Sequence, residues 1–209
     1  MVAARTKAKK LDLYVLHKSD YVAPRTPVLL EIQTARYLVI AGGGRPGDKM
    51  FQTKIGALYN VAFTIKMACK FAGRDYAVCK LEGLWWGHRQ DGDFLAEPPG
   101  DWNWKLMIRV PDFIGGRDLS EAIAKLKARG KAPEVAEVAL ERLAEGRCVQ
   151  MLHVGPYAKE GETIARMKEF AGQQGFAYEG LHHEIYLSDP RRVAPERLRT
   201  ILRQPLRKV

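Results

Sequence analysis

The chain repeats a short pattern, and the repeat limits the folds open to it. Gly73 and Gly175 each close a long helical stretch. Each is followed three residues later by a tyrosine, Tyr76 or Tyr178, and nine residues later by a glutamate, Glu82 or Glu184. The order of elements around the two glycines also agrees: strand, glycine turn, helix, helix-ending glycine, strand, strand. A unit of this size cannot cover the apolar face of its own strands, so two copies must pack together. The expectation is an α+β fold of two β-α-β-β units, about residues 28–112 and 145–207. They would form one antiparallel sheet with both helices on one face and a concave groove on the other. Residues 1–27 would be an N-terminal extension lying across a single domain, 28–209.

The local signals supply the elements. Runs of Val, Ile, Leu and Tyr predict strands over 28–33 and 36–41. Gly42-Gly43-Gly44 follows without the spacing of a phosphate-binding loop, so it reads as a turn. A helix over 49–72 buries Ile55, Leu58, Ala62, Ile65 and Cys69, with Tyr59 projecting from the same face as a core or a pocket residue. Strands are predicted over 76–86 and 104–110, joined by a polar loop containing Asp91, Gly92 and Asp93. Charge-laced helices over 119–129 and 133–144 form a helical connector. A strand over 147–154, a helix over 159–174 and strands over 181–189 and 197–205 complete the second unit, although Pro195 can equally open a helix.

With 46% hydrophobic and 28% charged residues, a chain of 209 can bury one substantial core. Cys69, Cys79 and Cys148 form no C-x-x-C pair and no cluster with histidine, which points to reduced thiols in a cytoplasmic protein, with no metal and no cofactor. No apolar run reaches membrane-spanning length, and the basic stretch at 1–10 opens no secretory signal. The net charge of +10 invites a nucleic-acid reading, but much of it sits near the two ends, from Arg5 to Lys10 and from Arg191 onward. No nucleic-acid-binding motif accompanies it, so solvated surface charge is the preferred reading.

Within 181–189, strand alternation sends His182, Glu184, Tyr186 and Ser188 to one face and His183, Ile185 and Leu187 to the other. Glu184 is then either a solvated residue or a carboxylate at the floor of an apolar pocket. The same rule places Glu82, Leu84 and Trp86 opposite Leu81, Gly83 and Trp85. Trp85, Trp86, Trp102 and Trp104 flank one hairpin, and the adjacent pair cannot face the same way. The repeat makes Glu82 and Glu184 approximate symmetry mates. Sharing the concave side would raise at least one pKa; on the helix-covered side both would need internal partners.

Cys148-Val-Gln-Met-Leu-His-Val-Gly-Pro-Tyr157, followed by Glu160, a helix, His182-His-Glu-Ile-Tyr-Leu-Ser-Asp-Pro190 and Thr200-Ile-Leu-Arg-Gln-Pro205, resembles the GyrI-like small-molecule-binding family. Leu81-Glu-Gly-Leu-Trp-Trp86 is similar to its stand-alone members rather than to the effector domains of transcription factors. The resemblance implies SHS2-type units with a ligand groove along their pseudo-twofold axis, and a partner that is a bulky hydrophobic aromatic molecule. Some stand-alone members are cyclopropanoid cyclopropyl hydrolases, which open the strained ring of DNA-alkylating natural products. Glu184 matches the position of the buried glutamate with which members of the family bind their ligands; a hydrolysis of this kind, which needs an activated water and a proton donor, would use it as the general base, with Tyr59 as its partner and Glu82 as an alternative carboxylate. Trp85, Trp86, Trp104, Tyr157 and Tyr186 would be the aromatic walls. The competing expectation is a protein that sequesters such molecules without chemistry, as a monomer or weak homodimer.

Overall fold

The computed structural model describes residues 10–88 and 94–209. Most of the basic stretch at 1–10, and Asp91, Gly92 and Asp93, lie outside them. The chain opens with two single-turn helices, α1 (Leu13–Leu16) and α2 (Lys18–Tyr21). It continues through β1 (Val28–Ile32), β2 (Ala35–Gly43), the long helix α3 (Lys49–Phe71), β3 (Glu82–Trp86) and β4 (Asn103–Val110). Then come α4 (Gly116–Ala128), β5 (Ala139–Leu143), β6 (Gly146–Val154), α5 (Glu160–Gln173), β7 (Phe176–Tyr178), β8 (His182–Tyr186) and β9 (Arg199–Lys208).

Among the described residues the nine strands make one antiparallel sheet in the order β1-β6-β9-β8-β3-β4-β2-β5, with β7 paired to the end of β9. The order is symmetric in sequence: β2-β4-β3 from the first half meets β6-β9-β8 from the second, and β3 pairs with β8 at the centre. This is the α+β arrangement anticipated from the repeat. Helix α3 starts where the Asp48 carboxylate caps the Phe51 amide at 2.7 Å. It ends at Gly73, whose φ of 78° turns the chain back so that the Arg74 amide donates to the Cys69 carbonyl.

Two elements differ from expectation. Residues 133–144 are not a helix but a short 3-10 turn (Pro133–Glu137) followed by β5. Their Glu and Arg content imitates a helix surface, but β2 offers a free edge, and β5 fills it from Ala139↔Val39 to Leu143↔Ala35. The strand foreseen over 76–86 is ordered as a ladder only from Glu82; before it, Tyr76 makes a single bridge to Leu11.

Helix α3 packs on β2 and β4, and α5 packs on β6, β7 and β9, so β3 and β8 form a strip between the two helices. Leu38, Ile40, Trp104, Leu106 and Ile108 form the core with α3; Val149, Met151, Leu202 and Leu206 form a second core with Met167 and Ala171 of α5. The opposite face is not an open groove, contrary to the sequence expectation. The N-terminal segment crosses it, and beneath lies a buried polar network. His183 reaches the Glu82 carboxylate through Nε2 at 3.0 Å and the Glu145 carboxylate through Nδ1 at 2.9 Å. Arg203 donates to Glu145 at 2.6 Å, to Gln150 at 2.7 Å and to the Asp20 carbonyl at 2.6 Å. Arg109 donates to the Asp20 carboxylate at 2.9 Å. Burial alone would push the His183 imidazole down, but Glu145 and Glu82 outweigh it and hold its pKa up at about 9. Burial likewise opposes ionisation of Glu145, yet His183 and Arg203 pull its pKa down to about 2.

Both shifts make stability depend on pH. The His183 contribution is full below its ordinary value of 6.5 and is lost as pH rises through about 9. The Glu145 contribution is full above 4.5 and is lost as pH falls through about 2. Denaturant midpoints should therefore fall between pH 7 and 9.5. In His183→Leu that alkaline loss should vanish, with about 3–5 kcal/mol lost at pH 6 because the buried Glu82 carboxylate is left unpaired and Glu145 keeps only Arg203.

Gly42 faces the Trp104 indole so closely that a Cβ there would run into the ring, and Trp104 is 0% exposed. Gly42→Ala should cost about 1–3 kcal/mol by overpacking, read as a lowered melting temperature.

Candidate functional site

The strip between α3 and α5 presents Gly83 and Trp85 from β3 and His182, Glu184 and Tyr186 from β8. These residues share one face because antiparallel partners do, and the register pairs Gly83↔Glu184 and Trp85↔His182. Glu82 pairs with Ile185 and therefore faces the other way. The two glutamates do not share a side, as their equal spacing from the helix-ending glycines suggested. A mismatch of one residue between the halves inverts every side chain. Glu82, 0% exposed, binds His183 instead and is not beside Glu184.

Glu184 is 7% exposed. Burial pushes its pKa up to about 7, against the opposing pull of the Tyr186 hydroxyl, the Glu160 carboxyl and the His183 imidazolium behind the strand. The Trp85 indole donates to the Tyr186 hydroxyl at 3.0 Å. That contact crosses directly over Gly83, where a Cβ would stand 3.0 Å from the hydroxyl and 3.1 Å from the indole nitrogen. Glycine is what lets the indole and the phenol meet. His182 is buried, and burial is the main cause holding its pKa down at about 3, so its ring is neutral. Its Nε2 stands 3.7 Å from the Glu184 carboxylate. Rings then continue around the strip: His182 lies 5.4 Å from Phe94, Phe94 4.9 Å from Trp102 and Trp102 6.0 Å from Trp85, while Tyr157 meets Tyr186 edge-on at 6.0 Å.

Of the residues singled out from sequence, Glu184, Trp85, Tyr186 and the 39% exposed Tyr157 come together. Trp104 shares their face but is core: its Nε1 donates to the Gly44 carbonyl at 3.2 Å, and its ring packs on Phe51. Trp86 lies on the opposite face with Leu84 and Leu143. Tyr59 is half-buried on α3, stacked on Phe63, with its hydroxyl against the Leu81 backbone; burial raises its pKa. Phe94, His182, Glu160 and Thr200 were not selected, although strand alternation had already placed His182 beside Glu184. Glu160 reads from sequence as an ordinary acidic residue in a helix's first turn, yet it is buried.

Among the described residues, no group of three histidine, cysteine, aspartate or glutamate side chains is placed to hold a metal ion. Among the same residues no helix is long and apolar enough to cross a membrane. A cavity of about 380 Å³ lined by Arg25, His153, Lys159, Thr163 and Arg166 does not reach Glu184. The strip is thus a carboxylate that titrates near neutrality, held between a neutral imidazole and a phenol and ringed by indoles. These groups can exchange protons with a guest while excluding water.

Solved structures with the same architecture include an uncharacterized conserved protein from Listeria innocua, 34% identical, with a TM-score of 0.88 over 95% of this chain and all of that one. A hydrolase from Listeria innocua is 33% identical with a TM-score of 0.84 over the same shares. The EcmrR C-terminal domain, at 13% identity and a TM-score of 0.57 over 88% of this chain and 98% of that one, shares the fold alone. Comparison with curated protein sequences finds no match. The model of the GyrI-like small molecule binding domain matches residues 25–207, which contain every strand of the sheet except Lys208 at the end of β9, and every residue of the strip. The chain belongs to the GyrI-like small-molecule-binding family.

Proposed function

We propose that the protein binds bulky, flat aromatic molecules against Trp85, Tyr157 and Tyr186 and hydrolyses the cyclopropane ring of cyclopropanoid alkylating agents, with Glu184 as the general base. The observation that carries this reading is a buried carboxylate, its pKa pushed up by burial, among aromatic rings packed edge to face. The relative from Listeria described as a hydrolase, similar over nearly the whole chain, supports it.

The chemistry needs a nucleophile at the strained carbon and protonation of the oxygen at the far end of the conjugated system. A carboxylate near neutrality is a competent acceptor for the proton of an attacking water, and such assistance contributes about 10²–10⁴-fold. The indole of Trp85 and the phenols of Tyr157 and Tyr186 offer faces and edges on which a flat substrate stacks. Tyr59, whose burial keeps the hydroxyl protonated, is the proposed donor to the anion that develops at the far oxygen.

Replacing the carboxylate by its amide separates binding from chemistry. Glu184→Gln should bind an aromatic ligand with affinity within about threefold of wild type, followed by tryptophan quenching. Turnover to the ring-opened product, followed by mass spectrometry, should drop about 10²–10⁴-fold. Wild-type turnover should rise as pH increases through about 7, because the carboxylate is the active form. Equal losses of binding and rate would make Glu184 a ligand anchor. Stoichiometric capture without repeated turnover by the wild type would leave a sequestering protein.

A further inference from the structure

Glu160 Oε1, His182 Nε2 and Thr200 Oγ1 are buried on the strip without a well-formed hydrogen bond, although Thr200 stands beside the Glu160 carboxyl. They come from three different elements, α5, β8 and β9. Thr200 faces the helix side because its antiparallel partner is Tyr186, and both Thr200 and Glu184 stand against the Glu160 carboxyl. His182 Nε2 is 3.7 Å from Glu184, too far for a bond but near enough to share a guest with it. Burying a polar atom without a partner destabilises the fold. Three around one carboxylate mark a place where a small polar group completes the bonding.

Glu160 is the unexpected member. An acidic residue at the start of a helix is usually solvated; its near neighbour Glu162 is exposed, as that role requires. Glu160 instead turns under α5 into the strip.

We propose that Glu160 and Glu184 form a carboxyl pair holding one proton between them, and that this pair, with His182 Nε2 and Thr200 Oγ1, grips the single small polar group on which the site acts. The identity of that group as the attacking water rests on the hydrolytic reading above; the pair itself does not. Two adjacent carboxylates in an apolar setting cannot both ionise cheaply. Burial and Glu184 together hold the Glu160 proton on, and the protonated Glu160 donates to Glu184. In the hydrolytic step the Glu184 carboxylate takes one proton from water as the water oxygen bonds to the ring CH2. The carbon–carbon bond of the cyclopropane breaks, and its electron pair moves through the conjugated system to the carbonyl oxygen, which takes the Tyr59 hydroxyl proton, and Tyr59 recovers a proton from solvent. Water is added and nothing is oxidised or reduced. Glu160 stays protonated throughout, keeping a second negative charge out of the strip, and Glu184 returns its proton to solvent on product release.

The groups facing the pair are His182, Tyr186 and, through the strand, His183 from β8; Tyr157 ahead of α5; Thr200 from β9; and, through its bond to Tyr186, Trp85 from β3. Of these, His182 is neutral and the phenols titrate far above neutrality, so near pH 7 the two carboxyls are the titrating partners.

The test is a carboxyl ¹³C titration of glutamate-labelled protein, with resonances assigned by Glu184→Gln and Glu160→Gln. A coupled pair titrates in two macroscopic steps. The Glu184 resonance should move in two steps in the wild type and in one in Glu160→Gln. A single step in wild type, superposable on that of Glu160→Gln, overturns the pair. Activity gives a second readout. Glu160→Gln, which still donates a hydrogen bond, should keep the acidic limb of the rate profile and lose an alkaline limb. Glu160→Leu, if folded by thermal melt, should move the acidic limb upward by about one pH unit. Unchanged profiles in both variants also overturn the pair. Two-step titration without any turnover upholds the pair and sinks hydrolysis; turnover with one-step titration does the reverse.

Discussion

Gly83 stands opposite Glu184 where β3 meets β8, and that register joins the two halves of the sheet. Because side chains alternate, one choice of partner decides two chemistries at once. It puts Glu184, His182, Tyr186 and Trp85 between the helices and sends Glu82 and His183 to the other side. Shifted by one residue, the pairing would set Glu82 opposite Glu184 and bring both carboxylates to one side. The backbone ladder therefore selects which glutamate can meet a guest.

The two faces do not act independently. His183 and Glu184 are neighbours on β8 and point in opposite directions. The imidazolium, held charged by Glu82 and Glu145, sits a strand's thickness behind the Glu184 carboxylate and eases its ionisation. Burial pulls the other way, and the balance leaves Glu184 near neutrality rather than permanently protonated. Arg203, Arg109 and the Asp20 segment keep that imidazolium in place, so a network remote from any guest helps to set the site's proton affinity.

Much of this was legible in the sequence. The repeated spacing after Gly73 and Gly175 indicated two matching units and one sheet, and the apolar alternation in β8 identified Glu184 as a polar residue inside an apolar run. Alternation also separated Trp85 from Trp86 correctly. Three things were hidden, each for a physical reason. Equal spacing from a glycine does not determine which way a strand faces, so Glu82 was placed beside Glu184 when it lies behind it. A charged, apolar-periodic segment becomes a strand when a neighbour offers an open edge, as β5 does beside β2. Helix-start carboxylates look alike until the packing of α5 shows that Glu160 is buried while Glu162 is not.

The central ladder has a further meaning. Strands β3 and β8 are interior only because each has the other; in a free half of the molecule, either would be an uncovered edge with unpaired backbone donors and acceptors. Such an edge recruits any extended chain it meets. Carrying both halves on one polypeptide supplies the right partner at high local concentration before a wrong one arrives. The seam on which a guest would bind is thus also where the protein is guarded against self-association.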